Sequence, residues 1–244
     1  AMVSLGQGAA ASVQAEISSL GTNVLIIVPG ATTVGGVRGG LGSISTLTVE
    51  DAEDIEKKVA SVTAVMYATR SVLQVIRENK NWSTIVLGTT PVFSDIRSWP
   101  IAEGNFFTQS DMDSAAKVVV LGKTAVQNLF EAGEEEVGSE IRNRNVSLRV
   151  IGVLAPKGQS ITGQDQDDFV ALPFSTAERK VLGTKFLGTV GIILVATHTR
   201  HDIPAVADDI KDLLGAKHRL HQSEEDDFTI RTMEDIAKTI AGTS

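Results

Sequence analysis

The chain has 244 residues, with 22 basic side chains against 30 acidic ones for a net charge of −8, and it is 42% hydrophobic and 21% charged. That balance suits a chain that buries its own core, which argues against disorder, and its acidity argues against a nucleic-acid binder. Without cysteine there is neither a disulfide frame nor a thiolate metal site, and the longest apolar run, residues 190–196, falls far short of the roughly 20 residues that a membrane helix needs.

In chain order, Met2, Leu5, Ala9, Val13, Ile17 and Leu20 recur at three- and four-residue steps and predict a weakly amphipathic helix stopped by Gly21. The stretch after Met2 has no basic leader, so no signal peptide is read there, and Ala1 reads as an expression scar or a cut inside a longer protein. Residues 23–28, closed by Pro29-Gly30, are a short β-branched block that predicts a buried strand. Residues 30–45 hold six glycines and predict a flexible loop. Thr48 with Asp51 forms a capping-box start for a helix whose apolar face carries Val49, Ala52, Ile55 and Val59. Two β-rich stretches, 62–78 and 82–87, follow around a turn at Asn79-Lys80-Asn81.

Residues 89–113 carry Pro91, Pro100 and Gly104 and predict loops. A strand over 117–121 leads into a helix over 122–132, with Gly133 as its C-terminal stop. Alternation of Val146, Leu148 and Val150 predicts a half-buried strand paired with residues 140–141 through Asn143-Arg144-Asn145. A loop over 157–167, a strand over 169–172 and a helix opened by Ser175 with Glu178 and stopped at Gly183 come next. The last third predicts a strand over 189–197 and a helix capped by Asp202 with Ile203, Val206, Ala207, Ile210, Leu213 and Leu214 as its stripe. A strand over 228–231 and a helix over 232–241, capped by Thr232 with Asp235, close the chain. Strand–helix–strand therefore occurs early and late, around a β-rich middle. The predicted fold is α+β, a discontinuous α/β-sandwich domain built from the two flanks with an inserted middle domain.

Four features of the sequence imitate reactive or ligand-binding motifs. Gly122-Lys123-Thr124 looks like the end of a phosphate loop, but Lys117 stands where that pattern requires glycine, so a strand-to-helix turn is expected. The glycines between Gly35 and Gly42 match the dinucleotide fingerprint in no register. Asp165-Gln166-Asp167-Asp168 opens like a calcium loop, yet Val170 and Thr176 occupy its glycine and glutamate positions, so an exposed turn is expected. The pairs His198/His201 and His218/His221 lie at a strand-to-helix junction and at a helix end, without a matching carboxylate motif. There is no G-x-S-x-G elbow, and the acidic runs 134–136 and 224–227 read as solvated surface. No catalytic, cofactor-binding or metal residue is assigned.

The whole string resembles the periplasmic core domain of MacB-type (FtsX-like) ABC transporter permeases. The resemblance starts at Leu20-Gly21-Thr22-Asn23-Val24-Leu25-Ile26-Ile27-Val28-Pro29-Gly30 and runs through Gly88-Thr89-Thr90-Pro91 and Ile96-Arg97-Ser98-Trp99-Pro100-Ile101-Ala102-Glu103-Gly104-Asn105-Phe106-Phe107. It continues with Val118-Val119-Val120-Leu121-Gly122-Lys123-Thr124, Val150-Ile151-Gly152-Val153-Leu154, and Asp227-Phe228-Thr229-Ile230-Arg231. It implies a stalk helix over 1–21, a porter-like subdomain from 22–88 and 187–232, an inserted Sabre-like subdomain over 89–186, and a helix over 233–244 toward the next membrane helix. It further implies a non-catalytic domain without cofactor on the periplasmic side of the bacterial inner membrane. That domain would relay motion from a cytoplasmic ATPase through the protein's own membrane helices, as a homodimer, to a substrate, a periplasmic adaptor or an outer-membrane channel. Two other classes stay open: a stand-alone extracytoplasmic ligand-binding or scaffold domain, and an enzyme with an unrecognised site, which would show a polar pocket of strongly shifted ionisable groups.

Overall fold

The computed structural model describes residues 23–30, 33–34, 37–38, 46–160, 163–183, 187–218 and 227–242. The expected helix over 2–20, most of the glycine-rich segment, His221 and acidic residues 224–226 lie outside the described residues. The first elements are β1 (Val24–Pro29), β2 (Thr33–Val34), β3 (Val37–Arg38), α1 (Val49–Lys58), β4 (Val62–Arg77), β5 (Lys80–Thr89) and α2 (Phe93–Ile96). Next come β6 (Ile101–Gly104), α3 (Gln109–Asp113), β7 (Val118–Leu121), α4 (Lys123–Leu129), β8 (Glu140–Asn143), β9 (Val146–Leu154), β10 (Phe169–Pro173) and α5 (Phe174–Thr176). The last are β11 (Ile192–Thr197), α6 (Ile203–Lys217), β12 (Phe228–Thr232) and α7 (Met233–Ala241).

The described residues fall into two compact units, one of residues 23–69 and 187–242, the other of 70–183. In the first, β1 pairs antiparallel with β11 and with β12, and β11 pairs antiparallel with residues 62–68 of β4. The strands from the two ends of the chain thus form one sheet, as the strand–helix–strand pattern of the flanks predicts. β1 is flanked on both edges, and its residues Leu25, Ile26 and Ile27 are fully buried. Each such side chain contributes about 1.5–3 kcal/mol by leaving water. The stripe predicted for α6 is the one observed, with Ile203, Val206, Ile210 and Leu214 buried, and α6 packs against β1, β12 and α1.

In the second unit β5 pairs parallel with β10, β10 antiparallel with β7, β7 parallel with β9, and β9 antiparallel with β6 and β8. The core holds Val86, Leu121, Leu129, Phe130, Val150 and Leu172, and α4 packs over β5, β9 and β10. The unit begins at Arg70 and not at the boundary expected near Gly88. The reason is pairing: residues 85–89 of β5 are hydrogen-bonded in register to 169–173 of β10, which ties β5 to the middle of the chain.

Local signals held where a residue caps its own neighbour. Thr48 and Asp51 form the reciprocal capping box of α1, and Thr232 and Asp235 exchange the same two bonds at α7. They misled where a distant partner competed. Ser175 does not cap α5, because its hydroxyl donates to the Met112 carbonyl. Asp202 stands at the N-cap of α6 but makes no side-chain cap bond there; a nearby partner takes it instead, its carboxylate accepting the Thr199 N–H and hydroxyl over the preceding turn Arg200–Asp202. The helix expected to reach residue 132 ends at Leu129, because Phe130 turns extended to bury its ring under the Arg77 guanidinium. The loop expected over 89–113 contains α2, β6 and α3, the last opened by a Thr108–Asp111 capping box. Thr33–Val34 and Val37–Arg38 pair as a short ladder inside the expected loop, in keeping with the strand preference of valine and threonine.

Candidate functional site

The strand-to-helix junction at Gly122 explains the imitation phosphate loop. The Gly122 N–H donates to the Phe169 carbonyl at 2.9 Å and the Thr124 N–H to the Asp167 carbonyl at 3.2 Å. The Thr124 hydroxyl donates to Asp165 Oδ2 at 2.6 Å. These groups at the start of α4 are therefore spent on the loop that leads into β10. Glycine is required because a Cβ at 122 would stand 2.2 Å from the Asp167 carbonyl oxygen.

In the calcium-like run Asp165 is exposed, as expected of a turn, but the residues after it turn inward. Asp167 is buried, and its carboxylate accepts the N–H groups of Lys157 and Gly158, each at 2.8 Å. Asp165 Oδ1 accepts the Asp167 N–H at 2.8 Å. Asp168 Oδ1 accepts Trp82 Nε1–H at 2.9 Å and the Thr84 hydroxyl at 2.8 Å. Among the described residues no three His, Asp or Glu side chains are disposed to hold a metal ion.

Beside this brace the middle unit opens a small cleft with a cavity volume of about 60 Å³. Ile85, Leu87, Phe93, Trp99 and Phe169 make its apolar wall, and Arg70, Arg97, Gln164, Gln166 and Asp168 its polar one. The Trp99 ring lies 6.0 Å from Phe93 and 5.1 Å from Phe169, with the Arg97 guanidinium 5.4 Å from its centroid. Lys157 Nζ sits 4.5 Å from the same ring and donates to the Arg97 carbonyl at 3.0 Å. Burial first, and then the Arg97 charge, push the Lys157 ammonium down to about 8, against a smaller upward pull from Asp167. Its charged form is disfavoured in the fold, so stability rises with pH from about 8 toward the ordinary lysine value of 10.5. Competitive acylation should accordingly give Lys157 a midpoint near pH 8, and a midpoint near 10.5 would refute that environment.

The two histidine pairs separate. His198 and His201 are exposed around the turn after β11. His218 ends α6 as expected, but its imidazole does more than face a helix dipole. Nδ1 lies 2.7 and 2.9 Å from the Asp227 carboxylate oxygens, and Nε2 lies 2.9 Å from Asp51 Oδ2. Lys217 beside it lies 2.8 Å from Asp54 and 3.3 Å from Asp51. Asp51 was legible as a cap, Asp227 was read as solvated surface, and nothing local to either announces the other. Burial alone would lower the His218 pKa; hydrogen bonds to Asp227 and Asp51, and their charges, outweigh it and hold it above the ordinary 6.5.

The profile of MacB-like periplasmic core domains matches residues 1–213. The macrolide export ATP-binding/permease protein MacB of Syntrophobacter fumaroxidans is 32% identical, covering 100% of this chain and 41% of its own length. The protein of the same name in Wolinella succinogenes is 35% identical over 99% of this chain and 36% of its own. The chain thus spans well under half the length of these relatives. Among solved structures, the periplasmic region of MacB from Actinobacillus actinomycetemcomitans superposes with a TM-score of 0.76 at 25% identity, covering 93% of this chain and 97% of that one. The extracellular domain of the ABC-type transporter YknZ from Gram-positive bacteria shares the fold, with a TM-score of 0.66 at 16% identity over 86% of this chain and 100% of that one.

Proposed function

The chain belongs to the family of MacB-like periplasmic core domains, and on that premise we propose that it is a non-catalytic relay, moved by a cytoplasmic ATPase through its own permease's membrane helices. The observation that carries this reading is the register of β1 against β12. Leu25, near the start of β1, pairs with Thr232, at the end of β12, so the first strand of the flank-built unit begins where its last strand ends, at one end of the sheet. α7 starts at the next residue. Two segments that leave a rigid sheet side by side can turn a displacement of their far ends into a movement of the whole unit.

In this proposal residues 1–21 and 233–244 are the helices that continue toward the membrane. The flank-built unit is the porter-like part and the middle unit the Sabre-like part. Two copies work as a homodimer, and the exported molecule or a periplasmic adaptor and outer-membrane channel receive the motion. The relatives are named macrolide export proteins, which makes a macrolide the first substrate to try.

The test uses the full-length permease, spin-labelled at the exposed Val72 as V72C. ATP should shift the distance distribution between the two labels of a dimer. Four glycines inserted between Thr232 and Met233 should abolish that shift while ATP hydrolysis continues. Amide protection in β1 and β12 checks that the sheet is intact. Survival of the shift through the flexible insert, or no shift in the uninterrupted protein, would sink the relay.

A further inference from the structure

The Asp51–His218–Asp227 cluster joins three elements of the flank-built unit. Asp51 sits in the first turn of α1, His218 terminates α6, and Asp227 immediately precedes β12. Asp227 is also a backbone knot, since its carbonyl accepts the Gly30 N–H at 2.8 Å and the Thr46 hydroxyl at 2.7 Å. The His218 side chain is 10% exposed and that of Asp51 1%.

Both imidazole nitrogens face carboxylate oxygens at hydrogen-bond distance. A neutral imidazole carries a single N–H, so only the imidazolium can donate in both directions. Loss of its proton leaves a ring lone pair against a carboxylate, in a place with little water to relieve it. The surroundings do not replace the lost charge. From α6, Lys217 faces Asp54 and Asp51, with Glu50 of α1 at 3.7 Å; from β12, the Phe228 ring meets the imidazole edge-on at 6.0 Å. The remaining balance around the ring is acidic.

We propose that His218 is a proton-dependent clasp, which in its charged form ties the start of β12 to α1 and α6 and in its neutral form lets that strand end loosen. The clasp is a property of this unit alone and stands whether or not the unit relays motion. If it does, external acidity stiffens the strand from which α7 departs. The folded pKa is raised, so the clasp's stabilisation is complete below the ordinary histidine value of 6.5 and is lost as pH rises through the higher folded value.

The test is an NMR titration of this 244-residue chain, following the His218 ring and amide exchange in β12 corrected for intrinsic pH dependence. The ring should titrate above 6.5, and β12 protection should fall about tenfold across that midpoint. Asp227→Asn leaves the backbone bonds of residue 227 in place, and it should lower the midpoint and the protection at acid pH. His218→Gln should make β12 protection independent of pH over the same range. A ring midpoint at or below 6.5, or β12 protection that is flat across the midpoint in the unaltered chain, overturns the clasp without need of either variant.

Discussion

Replacing Trp99 with alanine is expected to lower the stability of the middle unit by about 4 kcal/mol, within the range for emptying a buried aromatic site. The side chain is 3% exposed, and its indole N–H donates to the Ala155 carbonyl at 2.7 Å. Its ring is shared by Phe93 and Phe169, by the Arg97 guanidinium and by Lys157 Nζ. Alanine would remove the contact surface of four residues at once and leave both cations without the face they lie over. Trp99→Phe divides the effect, keeping most of the ring contacts and losing the hydrogen bond, at about 1–2 kcal/mol. Urea denaturation followed by far-ultraviolet circular dichroism measures both variants. A loss under about 1 kcal/mol for the alanine variant would show that the ring is not a prop of this core.

Gly122→Ala is expected to cost about 3 kcal/mol, at the upper end of what overpacking brings. The backbone at 122 has a φ of −74°, which any residue adopts, so the whole cost is the new Cβ against the Asp167 carbonyl oxygen at 2.2 Å. That obstacle is backbone, held by the Gly122–Phe169 bond and by the pairing of β7 with β10, and it has no rotamer by which to move away. Gly133→Ala is the contrasting case. Nothing stands within 4 Å of its Cβ, but φ is +88°, so only left-handed strain of about 1–2 kcal/mol applies. Thermal unfolding of the two variants separates these costs. Equal losses would mean that the close approach at 122 is relieved by a shift of the loop. A phosphate-loop glycine would behave differently again, with ligand affinity lost and the fold retained.

These glycines show where local pattern runs out. The motif around Gly122 was legible as a strand-to-helix turn because Lys117 breaks the phosphate pattern, but the need for glycine comes from a carbonyl 45 positions further along the chain. Gly133 looked like a helix stop by spacing, and the helix had already ended at Leu129 because burial of Phe130 outweighed one more helical turn. The cleft was not legible at all. Its wall draws on Ile85, Trp99 and Phe169 from three separate stretches, each of which reads by itself as ordinary core.

The sequence by itself determined the capping boxes at Thr48 and Thr232, the buried strand expected over 23–28, the apolar stripe of α6, the β8–β9 hairpin and the resemblance to a periplasmic permease domain. Each rests on groups within a few residues of one another or on an ordered series of short motifs, so no long-range closure had to be known. Only the tertiary structure decided that β5 belongs with the middle unit and that Ser175 serves Met112 and not its own helix. It alone brought His218 to Asp51 across 167 positions and to Asp227 across nine. Those outcomes depend on which distant backbone arrives at hydrogen-bond distance, and that follows from strand pairing and core burial summed over a whole unit.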